Sequence, residues 1–270
     1  MSSEIYRLPG RAIIALDGPD ARPLLQRVIT TDVDKIGEGE CRPGALLTPQ
    51  GKIIVDFMLF PTETGLLIDV VESAAEALKK RLTLYRLKAD VSLALREDMA
   101  SLWSAEPFAG SAPDPRLSGQ AHRKIDLARH CEERALDTLE IACGTPAFGR
   151  DYGEAEVFPT DVNLDAYEGI GWKKGCFIGQ EVVSRMKRRG TIRKRSLAIQ
   201  VEGEAPAKGT PLKAGDSTVG DITSASGHNA VGMVRLDRLE KAATGVTADG
   251  KTVQIDLPDT LRPDPAPETL

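Results

Sequence analysis

With 270 residues, 41% of them hydrophobic and 28% charged, the chain has an ordinary globular balance and enough length to bury a substantial core. A net charge of −5 and a pI near 5.4 argue against a nucleic-acid coat protein, and no apolar run is long enough to cross a bilayer. Four scattered cysteines without a Cys-x-x-Cys pair, and only three histidines, offer neither a zinc ribbon nor a His-built metal site.

Met1-Ser2-Ser3-Glu4 has no basic-then-apolar leader pattern, so the expectation is a cytoplasmic protein, or one that reaches an organelle by a signal no longer visible, with reduced thiols. Residues 11–16 read as a strand ending in the turn Asp17-Gly18-Pro19. Asp20 then caps a short helix carrying Leu24, Leu25 and Val28, with Pro23 in its first turn. Residues 46–48 and 52–60, joined by Pro49-Gln50-Gly51, form a hairpin, and 66–71 return as a third strand. Ser73 and Glu76 have capping-box spacing at the head of a helix that aligns Leu78, Leu82 and Tyr85 on one face. Residues 91–95 are a further strand, which makes an α+β unit with a helix across a sheet.

Residues 104–120, with three prolines, read as a loop, and 130–139 as a helix ending near Gly144-Thr145-Pro146. Beyond Arg195 the texture changes to short alternating strands at 196–201, 218–224, 230–236 and 252–257, the pattern of a small barrel or sandwich. The expected organisation is a body over 1–190, a C-terminal β-barrel over 191–257 and a disordered, proline-rich tail over 258–270.

The chemistry concentrates in Lys174-Gly175-Cys176-Phe177-Ile178-Gly179-Gln180-Glu181. Glycines at 175 and 179 allow a tight turn close to a ligand, and residues 180–189 read as a helix with Val182, Val183 and Met186 inward. That places Gly179, Gln180 and Glu181 at a helix N-terminus, where free N–H groups favour negative charge. Cys176, just before that end and after Lys173 and Lys174, is expected to have a lowered pKa if exposed; the alternative is a buried small hydrophobe. Seven cations then crowd residues 185–195. They form a solvated face, a nucleic-acid contact that lacks interleaved aromatics, or a cradle for several carboxylates, and carboxylate binding is favoured over RNA.

The segment 174–181, followed by Arg185, resembles the signature of the YgfZ-type folate-binding proteins, a family that includes a mitochondrial iron–sulfur assembly factor. Residues 24–33, Leu46 to Lys52 with Asp56, Asp114-Pro115-Arg116, Phe158-Pro159 with Asn163-Leu164, and residues 219–224 follow the family's order. Through the aminomethyltransferase (T-protein) superfamily the resemblance implies an α+β, three-lobed folate-binding fold with a C-terminal small β-barrel and a ferredoxin-like part at about 45–105. It implies a tetrahydrofolate-binding protein that supports assembly or repair of [4Fe–4S] enzymes. The implied partners are folate, with or without a polyglutamate tail, and iron–sulfur assembly proteins or their clients. A monomer without membrane or direct nucleic-acid contact is expected, and any effect on tRNA modification is indirect. T-proteins carry adjacent acidic residues where this chain reads Val55-Asp56, and they lack the Lys-Gly-Cys segment, which argues against glycine cleavage.

On this reading Asp56 and Cys176 are the candidate catalytic groups, the carboxylate for proton transfer on bound folate and the thiol as nucleophile, transient iron ligand or redox group. Asp56, Asn163, Trp172, Lys174, Gly175, Phe177, Gly179, Gln180, Glu181 and Arg185 are the candidate folate contacts. Asp56 would meet the pterin, and Trp172 and Phe177 would wall an apolar slot. Two alternatives remain open: a folate-dependent one-carbon transferase or demethylase, and an RNA-associated module using 185–195.

Overall fold

The computed structural model describes residues 4–128, 131–190 and 192–262. The chain divides into two units: Met1–Pro49, Ile53–Leu136 and Tyr167–Gln180 form one, and Gln50–Lys52, Asp137–Ala166 and Glu181–Leu270 the other. Residues 137–166 and 181–190, which sequence placed in the body, are thus grouped with the barrel strands.

The first unit runs β1 (Tyr6–Arg7), β2 (Arg11–Asp17), α1 (Ala21–Val28), β3 (Arg42–Leu47), β4 (Ile53–Pro61), β5 (Gly65–Val71), α2 (Glu72–Arg86), β6 (Ser92–Leu95), β7 (Met99–Ser104), β8 (Ala112–Pro113) and β9 (His122–Leu127). An antiparallel five-stranded sheet has the order β3-β4-β5-β2-β6, and a four-stranded one the order β1-β7-β9-β8. Period-two alternation divides the side chains of the larger sheet. Ile14, Leu16, Val55, Phe57, Leu59 and Ile68 pack with Leu24, Leu25 and Val28 of α1 and Leu78 and Leu82 of α2. Ile13, Ala15, Met58, Phe60 and Leu67 turn the other way, onto Ala112 and Ile125 of the smaller sheet.

A buried ionic network joins the two sheets. Asp69 on β5 accepts from Arg11 Nε at 2.6 Å, from Ser101 Oγ at 2.7 Å and from Arg123. Arg123, 1% exposed, also reaches Asp114, which Arg116 holds at 2.8 Å. Buried charges persist only when paired in this way.

Several local expectations are corrected. The Asp20 side chain makes no cap bond on α1; its carboxylate instead accepts the Asp90 N–H at 2.7 Å. The capping box at Ser73 does not form, since α2 begins at Glu72 behind Val71 with no side-chain cap. Within residues 45–105, expected to be ferredoxin-like, β4, β5 and β6 share a sheet with β2 from residues 11–17, and β7 belongs to the other sheet.

The second unit contains α3 (Asp137–Ala142), α4 (Gln180–Arg188, whose first residue belongs to the first unit), β10 (Lys194–Val201), β11 (Pro211–Ala214), β12 (Ser217–Ser226), β13 (Asn229–Arg235), α5 (Leu236–Leu239), β14 (Val246–Ala248) and β15 (Lys251–Asp256). The six strands close into a barrel in the order β10-β13-β12-β11-β14-β15, with β15 returning to pair with β10. Leu197, Ile199, Leu212, Val219, Ile222, Val234 and Val253 fill it. Arg150 ties the preceding segment together through Asp137, Glu140 and the Thr145 carbonyl, and Thr223 Oγ1 on β12 donates to Asp151 at 2.8 Å.

The helix expected over 130–139 starts instead at Asp137; residue 130 lies outside the described residues. The tail expected to be disordered from 258 begins with an ordered 3-10 turn, Asp259–Leu261, whose Leu261 is buried and accepts from Arg195 Nε at 3.2 Å. The rest of that expectation, 263–270, lies outside the described residues.

Candidate functional site

After α1 the chain runs extended, and this stretch is the floor of the Cys176 segment. The Thr30 N–H donates to Ala45 O, and its Oγ1 accepts the Ala45 N–H, both at 3.0 Å. Thr31 Oγ1 donates to Pro43 O at 2.8 Å. Three successive carbonyls are thereby held toward residues 171–174. Thr30 O accepts the Gly171 N–H at 2.8 Å, while Lys174 Nζ donates to Ile29 O at 2.7 Å and to Thr31 O at 2.6 Å.

The Lys174 ammonium also stands 4.9 Å from the centre of the Phe177 ring, a cation–π distance. Burial lowers its pKa to about 8, against the attraction of Asp32 and Asp34. Asp32 is itself fixed, accepting from Gln26 Nε2 at 2.7 Å and pairing with Lys35 at 3.2 Å. Burial pushes its carboxyl up, but Gln26 and Lys35 outweigh that and leave it below the ordinary value. Gly171 makes room for this arrangement, because a Cβ there would stand 2.6 Å from Lys174 Cδ and 2.8 Å from Asp32 Cβ.

Past Lys174 the segment lifts. Gly175 and Cys176 are exposed, Phe177 is 7% exposed, and Ile178 packs into the helix-side core. Gly179 has φ +78°, and the Gln180 N–H donates to Phe177 O at 3.2 Å as α4 begins. The thiol therefore crowns a short arch whose two feet, Lys174 and Phe177, are anchored.

The expected site residues fall as follows. Trp172 is half-buried beside the arch. Asp56 is half-buried on β4 opposite Ala45, and the pleat gives it the face of Met58 and Phe60, whereas Ile178 joins the cluster of Val55 and Phe57. The contacts of the arch run to residues 29–31. Asn163, in the second unit, has φ +62° and donates from Nδ2 to Ser196 O at 2.6 Å, with its Oδ1 unpaired among the described residues. Glu181 and Arg185 are exposed on α4. Gly171, Gln26, Thr30 and Thr31 escaped the sequence reading. The one signal for them is the polar cluster Thr30-Thr31-Asp32 directly after an apolar helix.

The cationic run divides in two. Arg195 is a core residue, 2% exposed, bonded to both oxygens of Asp165 and to Thr160 O. The other six cations of the run are exposed. Arg193 and Lys194, with Met186, border a cavity of about 260 Å³ inside the second unit, whose remaining walls include Lys52, Glu156, Phe158, Asp161, Met233 and Arg235. Lys52 donates to Glu156 O at 2.8 Å and lies 3.8 Å over the Phe158 ring. Burial lowers the Lys52 pKa, with Asp161 opposing; burial raises that of Asp161 despite the Phe158 N–H and the cations Lys52, Lys194 and Arg195. Arg235 is committed to Asp237 through two bonds, at 2.9 and 2.8 Å.

Residues 193–263 match the family described as the CAF17 C-terminal beta-barrel domain. Over 241 residues the chain is 29% identical to the mitochondrial iron–sulfur cluster assembly factor IBA57 homolog of Neurospora crassa, an alignment covering 75% of this chain and 55% of that one. It is 31% identical over 220 residues to the homolog of Pyricularia oryzae, covering 70% and 55%, and 25% identical to human IBA57, covering 87% and 78%. The chain thus spans little more than half the length of these fungal relatives. Among solved structures it superposes on the glycine cleavage system aminomethyltransferase T from Bartonella henselae with a TM-score of 0.76, 17% identity, and coverage of 96% and 86%. The fold is therefore the α+β aminomethyltransferase type with a C-terminal barrel. The relatives are IBA57 factors, so the YgfZ-type resemblance is to a related family. The expected cytoplasmic location is overturned, since these relatives are named as mitochondrial proteins.

Proposed function

We propose that this chain is a reduced-folate-binding accessory factor in the assembly or repair of [4Fe–4S] enzymes, acting through the thiol of Cys176. The observation that carries the reading is an exposed cysteine at the top of an arch whose flanking residues are both anchored. A thiol that only filled space would be buried. The names of the relatives and the aminomethyltransferase fold support the same reading.

Among the described residues no group of three or more His, Cys, Asp or Glu is placed to hold a metal ion. A cluster in transit would accordingly take one ligand from Cys176 and its others from a client or an assembly partner. Iron is cargo on this reading.

The second unit's cavity offers a place for part of a folate. At about 260 Å³ it lies at or below the ~300–1,000 Å³ of sites that enclose drug-sized ligands, so it fits one end of a folate. Arg193 and Lys194 are suited to glutamyl carboxylates, and Phe158, Met186 and Met233 to the aminobenzoyl ring. Bound there, a reduced folate supplies a one-carbon carrier.

In cells lacking the protein, wild type should restore the activity of a [4Fe–4S] dehydratase and Cys176→Ala should not. Full restoration by Cys176→Ala would end the proposal. Calorimetric titration with 5-formyltetrahydrofolate tests the folate half separately. Aminomethyl transfer or formaldehyde release from the methylene form would favour the one-carbon transferase instead.

A further inference from the structure

We infer that Lys174 is the positioning residue of the Cys176 thiol: its half-buried ammonium is a strut between the arch and the carbonyls of Ile29 and Thr31, not a cation held out for a ligand. The inference deepens the reading above, and rests on it only for what the thiol does once positioned.

Geometry carries the argument. Two of the three donors of an ammonium are spent at 2.7 and 2.6 Å on carbonyls 145 and 143 residues away, and the Phe177 ring covers a further side. The acceptors are themselves fixed, because Thr30 is paired with Ala45 and Thr31 is bonded to Pro43. The fit is specific to a long, thin side chain, since Gly171 lacks the Cβ that would stand 2.6 Å from the Lys174 stem. Lys173, one residue earlier, is exposed and makes a matched control. Between the strut and buried Phe177 only two residues are free to move, so the strut fixes where the sulfur stands.

The experiment compares Lys174→Met, which keeps the stem and removes the donors, with Lys174→Arg, which keeps charge and donors, and with Lys173→Met. Hydrogen exchange at fixed pH reads the Gly171 amide, and amides of the barrel strands report that the chain is folded. Alkylation of Cys176 is followed by peptide mass with a small reagent, iodoacetamide, and a bulky maleimide. Loss of a nearby charge alone would slow both reagents by the same factor, whereas a displaced thiol changes their ratio.

Lys174→Met should lower Gly171 protection at least tenfold and shift the reagent ratio at least threefold. Lys174→Arg and Lys173→Met should stay within about threefold of wild type in protection and keep its ratio. Protection within twofold of wild type in Lys174→Met, or an unchanged reagent ratio, would overturn the inference. Neither readout involves iron or folate, so a failure of the functional proposal would leave this result standing, and the reverse holds too.

Discussion

Gly171→Ala probes the packing under the thiol most directly. The added methyl would stand 2.6 Å from Lys174 Cδ, 2.9 Å from its Cγ and 2.8 Å from Asp32 Cβ, so something must give. The Lys174 stem can retreat only by stretching its bonds to Ile29 O and Thr31 O, charge-assisted contacts worth ~1.5–3 kcal/mol each. The Asp32 Cβ can retreat only by moving its backbone, which Gln26 and Lys35 hold through the carboxylate. Overpacking of this kind costs ~1–3 kcal/mol, and the stiffer unfolded chain returns ~0.4–1 kcal/mol. The expected net loss is ~1–2 kcal/mol, about a tenfold rise in local opening. Hydrogen exchange over residues 29–33 and 171–179 measures it. Gly175→Ala is the internal control, because a Cβ there meets nothing within 4 Å. Equal protection in the two variants would refute the packing argument.

Three further outcomes are expected. Asp114 is buried, which raises its carboxyl pKa, but Arg116 and Arg123 overcome this and hold it at about 2 instead of 3.8. A depressed carboxylate contributes stability above its unfolded pKa and loses it as pH falls through the folded one. About 2 kcal/mol should therefore disappear between pH 4 and 2, and Asp114→Asn should flatten that part of an acid-unfolding curve followed by Trp fluorescence. Cys41, buried and pushed up to about 12 first by burial and then by Asp114, should resist iodoacetamide at pH 8 in the native chain while Cys176 reacts; equal labelling by peptide mass would contradict the burial. Gly144→Ala should cost more than about 3 kcal/mol, because its Cβ would stand 2.2 Å from the Ala198 N at φ +68°, against backbone that cannot swing aside. A melting temperature within about 2 °C of wild type would speak against that.

The parts of the fold legible in sequence are those written by local periodicity. The 52–60 hairpin strand, the helix with Leu78 and Leu82, and four of the six barrel strands follow from alternation, helical spacing and turn residues. What escaped reading is held by partners distant in sequence. β9 carries Arg123, a charge that breaks an apolar strand pattern and makes sense only beside Asp69 and Asp114. Asp20 has the right residue type for a cap, yet its carboxylate is drawn to an N–H 70 residues away. Arg195 looked like one more member of a cationic run, and only the Asp165 pair shows it as core.

The same limit governed the site. Adjacent residues picked out the Lys174–Glu181 segment, because glycine, cysteine and lysine in that order are chemically conspicuous without any structure. Nothing local could say which way Lys174 turns. Sequence read it as one of the folate contacts; in the structure the half-buried ammonium donates to two carbonyls at the exit of α1 and stands against the Phe177 ring. That inversion reassigns the motif's parts. The cation and the aromatic ring face inward and hold the arch, while Gly175 and Cys176 remain on the outside. What the motif offers a visiting molecule is then an exposed sulfur on an anchored arch. On the proposed function, a sulfur so held serves a partner that needs one well-placed ligand or nucleophile.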